Sequence, residues 1–151
     1  MARHDTYGDR LKTRVHELAL TCQEALRDPM SAKVEAIFLY GSALGDGFRL
    51  DSDVDVAVLD RWDERLTWVE QARLMDHLER ATGAGIDLRM LRDGLLSYQV
   101  NVLETGLRIW AGDPAAADRY QREVLASWRR HAPPSESEWS AALYRLAALP
   151  S

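Results

Sequence analysis

Two short apolar segments do most to constrain the fold of this 151-residue chain. The first covers residues 34–40 and stops at Gly41, and the second covers residues 54–59. Apolar runs of this length, bounded by turn residues, predict strands rather than helix cores. The chain is therefore expected to form two strands of a sheet, separated by a segment that opens with a glycine turn.

Residues that could bind a ligand or take part in a reaction lie at the ends of these predicted strands. Gly41-Ser42 follows the first strand, and Asp53 and Asp55 flank the start of the second. Since side chains alternate along a strand, both acids point to one face and Val54 to the other. Two adjacent carboxylates repel each other and favour a hard cation, whereas a glycine turn lets backbone amides approach an anion. The pattern indicates metal and phosphate chemistry of the kind used with nucleotides.

Helices and strands alternate along the rest of the chain. Apolar spacing predicts a helix ending near residues 28–29, a short helix at 43–44, helices over 62–82 and 95–104, and strands over 85–91 and 107–110. Gly83 is expected to end the long helix, and Asp87 lies within the third strand. This order predicts an α/β layer structure.

The carboxy-terminal part differs from the predicted core, which spans residues 1–112. Residues 113–151 carry two helical apolar stripes on either side of Pro133-Pro134: Ala117, Tyr120, Val124 and Trp128, and then Trp139, Leu143 and Leu146. Such stripes are most often core packing, but large aromatic residues also anchor interfaces. The segment is interpreted as a helical extension that packs on the core or serves as an interface.

Composition restricts the binding partners and the cellular location that we expect for this chain. A net charge of −5 disfavours the basic face that nucleic-acid binding requires. Cys22 is the only cysteine, and the four histidines lack ligand spacing, so neither a disulfide nor a zinc site is expected. The amino terminus is polar and no run is long enough for a membrane span. These features predict a cytoplasmic protein that binds neither nucleic acid nor membrane.

The order of motifs resembles the polymerase-β-like nucleotidyltransferase superfamily. Its hallmark is Gly-Ser, a spacer of about ten residues, Asp-x-Asp, and a third acid on a later strand. Gly41, Ser42, Asp53 and Asp55 match the first part, and Asp87 supplies the third acid. The resemblance implies a small mixed β-sheet flanked by helices, here with a C-terminal helical tail.

The resemblance also implies roles for the acids. Asp53, Asp55 and Asp87 would be catalytic and would hold Mg²⁺, with two ions expected, and Asp87 would help to deprotonate the attacking hydroxyl. Each acid has an ordinary alternative when taken alone, since Asp53 also suits a turn at a strand edge and Asp87 a solvated surface.

The phosphates of ATP would be held by Gly41 and Ser42, with Arg49 as a further candidate. Ser42 alone also suits a helix N-cap, and Arg49 a solvated charge. Related small enzymes often carry basic residues directly after Gly-Ser, whereas residues 43–46 here read Ala-Leu-Gly-Asp. That departure predicts weaker phosphate binding and leaves the expected metal site unaffected.

The absence of large additional domains makes the chain similar to the minimal nucleotidyltransferase (MNT) antitoxins, which partner HEPN-domain ribonuclease toxins. This implies transfer of AMP from ATP to a tyrosine of such a toxin, with possible homo-oligomer formation through the C-terminal helices. Two alternatives stay open: a small-molecule nucleotidyltransferase of the aminoglycoside type, and an antitoxin that neutralises by binding alone, with vestigial catalysis.

Overall fold

The computed structural model describes residues 7–26, 30–41, 53–131 and 134–150. The elements in chain order are α1 (Tyr7–Ala25), β1 (Val34–Tyr40), β2 (Val54–Asp60), α2 (Trp68–Thr82), β3 (Ile86–Met90), α3 (Leu96–Thr105), β4 (Leu107–Ala111), α4 (Pro114–His131) and α5 (Glu136–Ala147). Single 3-10 turns precede β1 and follow β3. The short helix expected at residues 43–44 lies outside the described residues.

The four strands form one mixed sheet in the order β3-β2-β1-β4. β1 runs antiparallel to both β2 and β4, whereas β2 and β3 are parallel. Alternating side chains divide the core into two layers: Ile37 and Val56 pack with α1 and α2, and Phe38 and Ala57 pack with α3 and α4. The predicted class, a small mixed sheet flanked by helices, is confirmed.

Helix α2 begins later than the apolar pattern predicts, at Trp68 rather than at residue 62. Thr67 caps the helix, because its side chain accepts from the Glu70 amide while the Glu70 carboxylate accepts from the Thr67 amide. The preceding turn is held by the buried Asp60, whose Oδ2 accepts from Arg65 Nε at 2.7 Å and from the Leu66 amide at 3.0 Å. These polar contacts stop the helix from extending backwards.

The two C-terminal helices have different surroundings. Ala117, Tyr120 and Val124 of α4 are buried against the sheet, whereas α5 has no buried residue. Among the residues that the structure describes, no helix is both long and apolar enough to span a lipid bilayer.

Candidate active site

The strand register brings two of the predicted acids together. Tyr40 pairs with Asp55 across β1 and β2, and Asp55 pairs with Asp87 across β2 and β3. Neighbouring strands lie about 4.8 Å apart, so side chains in register on one face are direct neighbours. Asp55 therefore stands in the middle of a row of three residues, on the face that α3 and α4 cover further along the sheet.

Asp53 lies just before β2 and is exposed to solvent. The next residue, Val54, donates its amide to the Gly85 carbonyl at 2.8 Å, which holds this part of the chain against the start of β3. A Cβ on Gly85 would come within 2.2 Å of Asp53 Oδ1. The Asp53 carboxylate thus occupies space that any other residue at position 85 would fill, a role for Gly85 that the sequence alone does not show.

Gly41 makes room for Asp55 in a similar way. Its φ of 75° lies in the left-handed region, which L-residues rarely adopt. A Cβ at this position would lie 2.4 Å from Asp55 Oδ2. The glycine of the predicted turn is therefore in direct contact with the central acid.

The charges around Asp55 are unbalanced. Burial, then the negative charges of Asp87 and Asp53, raise the pKa of the Asp55 carboxyl, and the positive charge of Arg89 partly opposes them. Arg89 Nη2 lies 3.4 Å from Asp87 Oδ2, and both side chains are substantially exposed. A contact of this length and exposure is weak. The cluster therefore retains an electrostatic preference for an added cation.

The chemistry of these residues fits Mg²⁺, which prefers carboxylate oxygens. Within the described ranges, however, no group of three or more His, Cys, Asp or Glu side chains is arranged as a metal site. Asp53, Asp55 and Asp87 are ligands of the right type for Mg²⁺. In this structure, however, their three carboxylates do not point at a common position that an ion could occupy.

Two tyrosines form the wall next to Asp55. The Tyr98 hydroxyl of α3 donates to the Tyr40 hydroxyl at 3.2 Å, and the two rings meet edge to face at 5.6 Å. Burial and the contact with Tyr40 raise the pKa of Tyr98, so it stays protonated at neutral pH. Tyr98 does not stand out in the sequence, since a tyrosine on a helix of mixed polarity has no distinguishing pattern.

The other predicted phosphate-binding residues, Ser42 and Arg49, lie outside the described residues, and their roles remain predictions. A cavity of about 600 Å³ lies at the opposite end of the sheet, where Glu35, Arg92 and Tyr120 contribute to its lining. None of the three aspartates lines it, so this cavity is separate from the acidic cluster.

The family described as "Polymerase beta, Nucleotidyltransferase" matches residues 22–115, a span that holds Gly41 and all three aspartates. The chain belongs to this family. The match covers the whole four-stranded sheet together with α2 and α3. No curated protein matches the chain at a significant level.

Solved structures with the same fold include chains of toxin–antitoxin complexes. A chain of a toxin–antitoxin complex with AMP-PNP is 23% identical, with a TM-score of 0.59, and the match covers 86% of this chain and 98% of that one. A chain of the tri-AMPylated Shewanella oneidensis HEPN toxin in complex with MNT antitoxin is 18% identical, with a TM-score of 0.58, covering 91% and 99%. A third comes from an MntA-HpeT mutant with two aspartate-to-glutamate substitutions two positions apart, at 20% identity and a TM-score of 0.59, covering 86% and 98%.

Proposed function

We propose that this protein is a Mg²⁺-dependent nucleotidyltransferase that moves AMP from ATP to a tyrosine of a HEPN-type toxin. The observation that carries the proposal is the in-register pairing of Asp55 with Asp87, next to Asp53 and Gly41, within the span matched by the family. Three carboxylates beside a glycine turn are the groups that this reaction needs.

The chain's own residues would act as follows. The tyrosine hydroxyl oxygen attacks the α-phosphorus of ATP, the bond to the pyrophosphate oxygen breaks, and the hydroxyl proton passes to the Asp87 carboxylate. Asp53 and Asp55 would hold Mg²⁺, which would neutralise negative charge on the phosphates. Gly41 leaves the space in which the Asp55 carboxylate keeps its orientation. Arg89 provides a positive charge beside Asp87.

The choice of acceptor rests on the relatives. Structures with the same fold contain a toxin–antitoxin pair with AMP-PNP and a tri-AMPylated HEPN toxin with its MNT antitoxin. Their identities to this chain are 23% and 18%, at which the fold alone is shared, so the acceptor class is part of the proposal. On this proposal the protein acts as the antitoxin by modifying its partner.

The test is incubation of the purified chain with a HEPN-type toxin of the same genome, ATP and Mg²⁺, followed by intact-mass measurement of the toxin. We expect a mass increase of one or more AMP units, which EDTA prevents. Asp53→Asn and Asp55→Asn should each abolish the increase. Asp76→Asn is the matched control, because Asp76 is an exposed α2 acid that pairs only with Arg80 among the described residues.

Other outcomes would favour the alternatives. If the wild-type chain inhibits the toxin without adding AMP, and Asp53→Asn inhibits equally well, neutralisation is by binding and the enzymatic proposal is wrong. If ATP is consumed with a panel of aminoglycosides and no protein acceptor, the protein acts on small molecules instead.

A further inference from the structure

Helix α5 presents an apolar stripe that the rest of the described chain does not cover. Trp139, Leu143 and Leu146 recur at helical spacing and are 54%, 59% and 63% exposed. The helix is nevertheless well specified, because Ser135 and Glu138 form a capping box at its start. It also lies beyond residue 115, where the family match ends. A defined helix with an uncovered apolar stripe is suited to contact another protein surface.

We propose that α5 pairs antiparallel with α5 of a second copy of this chain. The charged residues beside the stripe favour this occupant. Glu138 and Arg145 are seven residues apart, or about two helical turns, and therefore lie on the same edge of the stripe. In an antiparallel pair the order of the second helix is reversed, so Glu138 of each copy faces Arg145 of the other.

Other arrangements do not satisfy these charges. In a parallel pair, the edges that carry Glu138 and Arg145 would lie on opposite sides of the contact, so Glu138 of one copy would not meet Arg145 of the other. Within one copy the two side chains are about 10 Å apart along the helix axis and do not meet. The capping contact uses Glu138 Oε2 and leaves Oε1 able to accept from Arg145 of the second copy.

The size of the contact sets its strength. A helix of 12 residues is about 18 Å long, so a pair of them buries less than the roughly 1,200 Å² of a standard interface. We therefore expect a weak dimer whose population depends on protein concentration. The aromatic ring of Trp139 and the two leucines form its centre.

Sedimentation equilibrium of the full chain tests the pairing. We expect reversible monomer–dimer association, which Leu143→Glu weakens by at least about tenfold because it places a charge in the apolar stripe. Ser137→Glu is the matched control on the opposite side of α5 and should leave the association unchanged. A wild-type chain that stays monomeric at all concentrations, or an unchanged association in Leu143→Glu, overturns the proposal.

The charge pairing has its own test. Arg145→Glu should weaken association about fivefold, since two equivalent ion pairs become repulsive. Adding Glu138→Gln should recover part of that loss, because glutamine removes the repulsion and can still form the capping box. No recovery in the double variant would refute the antiparallel register.

Cross-linking determines the direction. With a short bis-maleimide, Ala142→Cys, near the proposed two-fold axis, should form covalent dimers, whereas Leu146→Cys should not. The native Cys22 is buried and does not interfere. Efficient cross-linking at position 146 would indicate parallel pairing. If the chain alone is monomeric and Leu143→Glu instead abolishes toxin binding, α5 docks the toxin and self-pairing is wrong.

Discussion

Replacing Gly41 with alanine should disturb the candidate active site far more than it destabilises the fold. The φ of 75° at Gly41 is costly for alanine, by about 1–2 kcal/mol of folding free energy. The added Cβ would also lie 2.4 Å from Asp55 Oδ2. Because that oxygen is at the end of a rotatable side chain, the overlap is relieved by movement of the carboxylate at little further cost to stability.

The movement is large enough to matter for catalysis. Ordinary contact begins at 3.4 Å, so the carboxylate oxygen must shift by about 1 Å. Misplacement of a reacting group by this amount reduces rates by about 100-fold. On the proposed function, we therefore expect Gly41→Ala to lower the rate of AMP transfer about 100-fold and to weaken binding of Mg²⁺–ATP, measured by calorimetry.

Substitutions at two other glycines separate the effect of a positive φ from the effect of Cβ overlap with a carboxylate. Gly83 has a similar φ of 65°, but a Cβ added there would meet nothing within 4 Å. Gly83→Ala should therefore lower the free energy of unfolding in urea as much as Gly41→Ala does, and keep full activity. Gly85 has no positive φ, and its Cβ would overlap Asp53 Oδ1, so Gly85→Ala should lose activity with a smaller loss of stability. If Gly41→Ala and Gly83→Ala are equally active, Gly41 does not position Asp55.

Three further predictions concern stability and reactivity. Because the pKa of Asp55 is raised in the folded state, ionisation of its carboxyl group opposes folding. Asp55→Asn should therefore melt at a higher temperature than wild type at neutral pH. The difference should disappear as the pH falls below 3.8, the ordinary pKa of an aspartate, where the carboxyl group is protonated in both the folded and the unfolded state. Among the described residues, Arg65→Met leaves the Leu66 amide as the one hydrogen-bond donor to the buried Asp60 carboxylate. It should cost about 2 kcal/mol in urea unfolding, a value reduced because Arg65 is partly exposed. Arg80→Met breaks an exposed ion pair and should cost less than about 0.5 kcal/mol. Burial raises the pKa of the Cys22 thiol to about 12, so Ellman's reagent at about pH 8 should label it only when the protein unfolds, and fast labelling of the native protein would contradict this.

The parts of the fold that depend on local patterns could be predicted from the sequence. The first strand, predicted at residues 34–40, lies at Val34–Tyr40, since a short apolar run ended by a glycine has few alternatives. The third strand, with Asp87, is also where the apolar run indicates, within one residue at each end. Placement of Asp55 next to Asp87 needs the strand order, which the family resemblance supplies and residue spacing alone does not.

Features set by tertiary contacts could not be predicted in this way. The start of α2 depends on the buried Asp60 carboxylate and its bond to Arg65, which no helical periodicity shows. The Thr67–Glu70 capping box is a local signal for the correct start, but the apolar residues before it outweigh it in the sequence pattern. The space that Gly85 leaves for Asp53 follows from a strand neighbour and is visible only in three dimensions.

The parallel pairing of β2 and β3 makes the position of Asp87 all or none. Since successive strand residues point to opposite faces, a slip of β3 by a single residue would turn Asp87 away from Asp55 and towards the layer beneath α2. The connection between these strands is α2, whose Leu74 and Leu78 are fully buried. On the proposed function, loosening that helix should inactivate the copies in which β3 has slipped and leave the other copies fully active. The result would be a mixed population instead of a uniformly slower one.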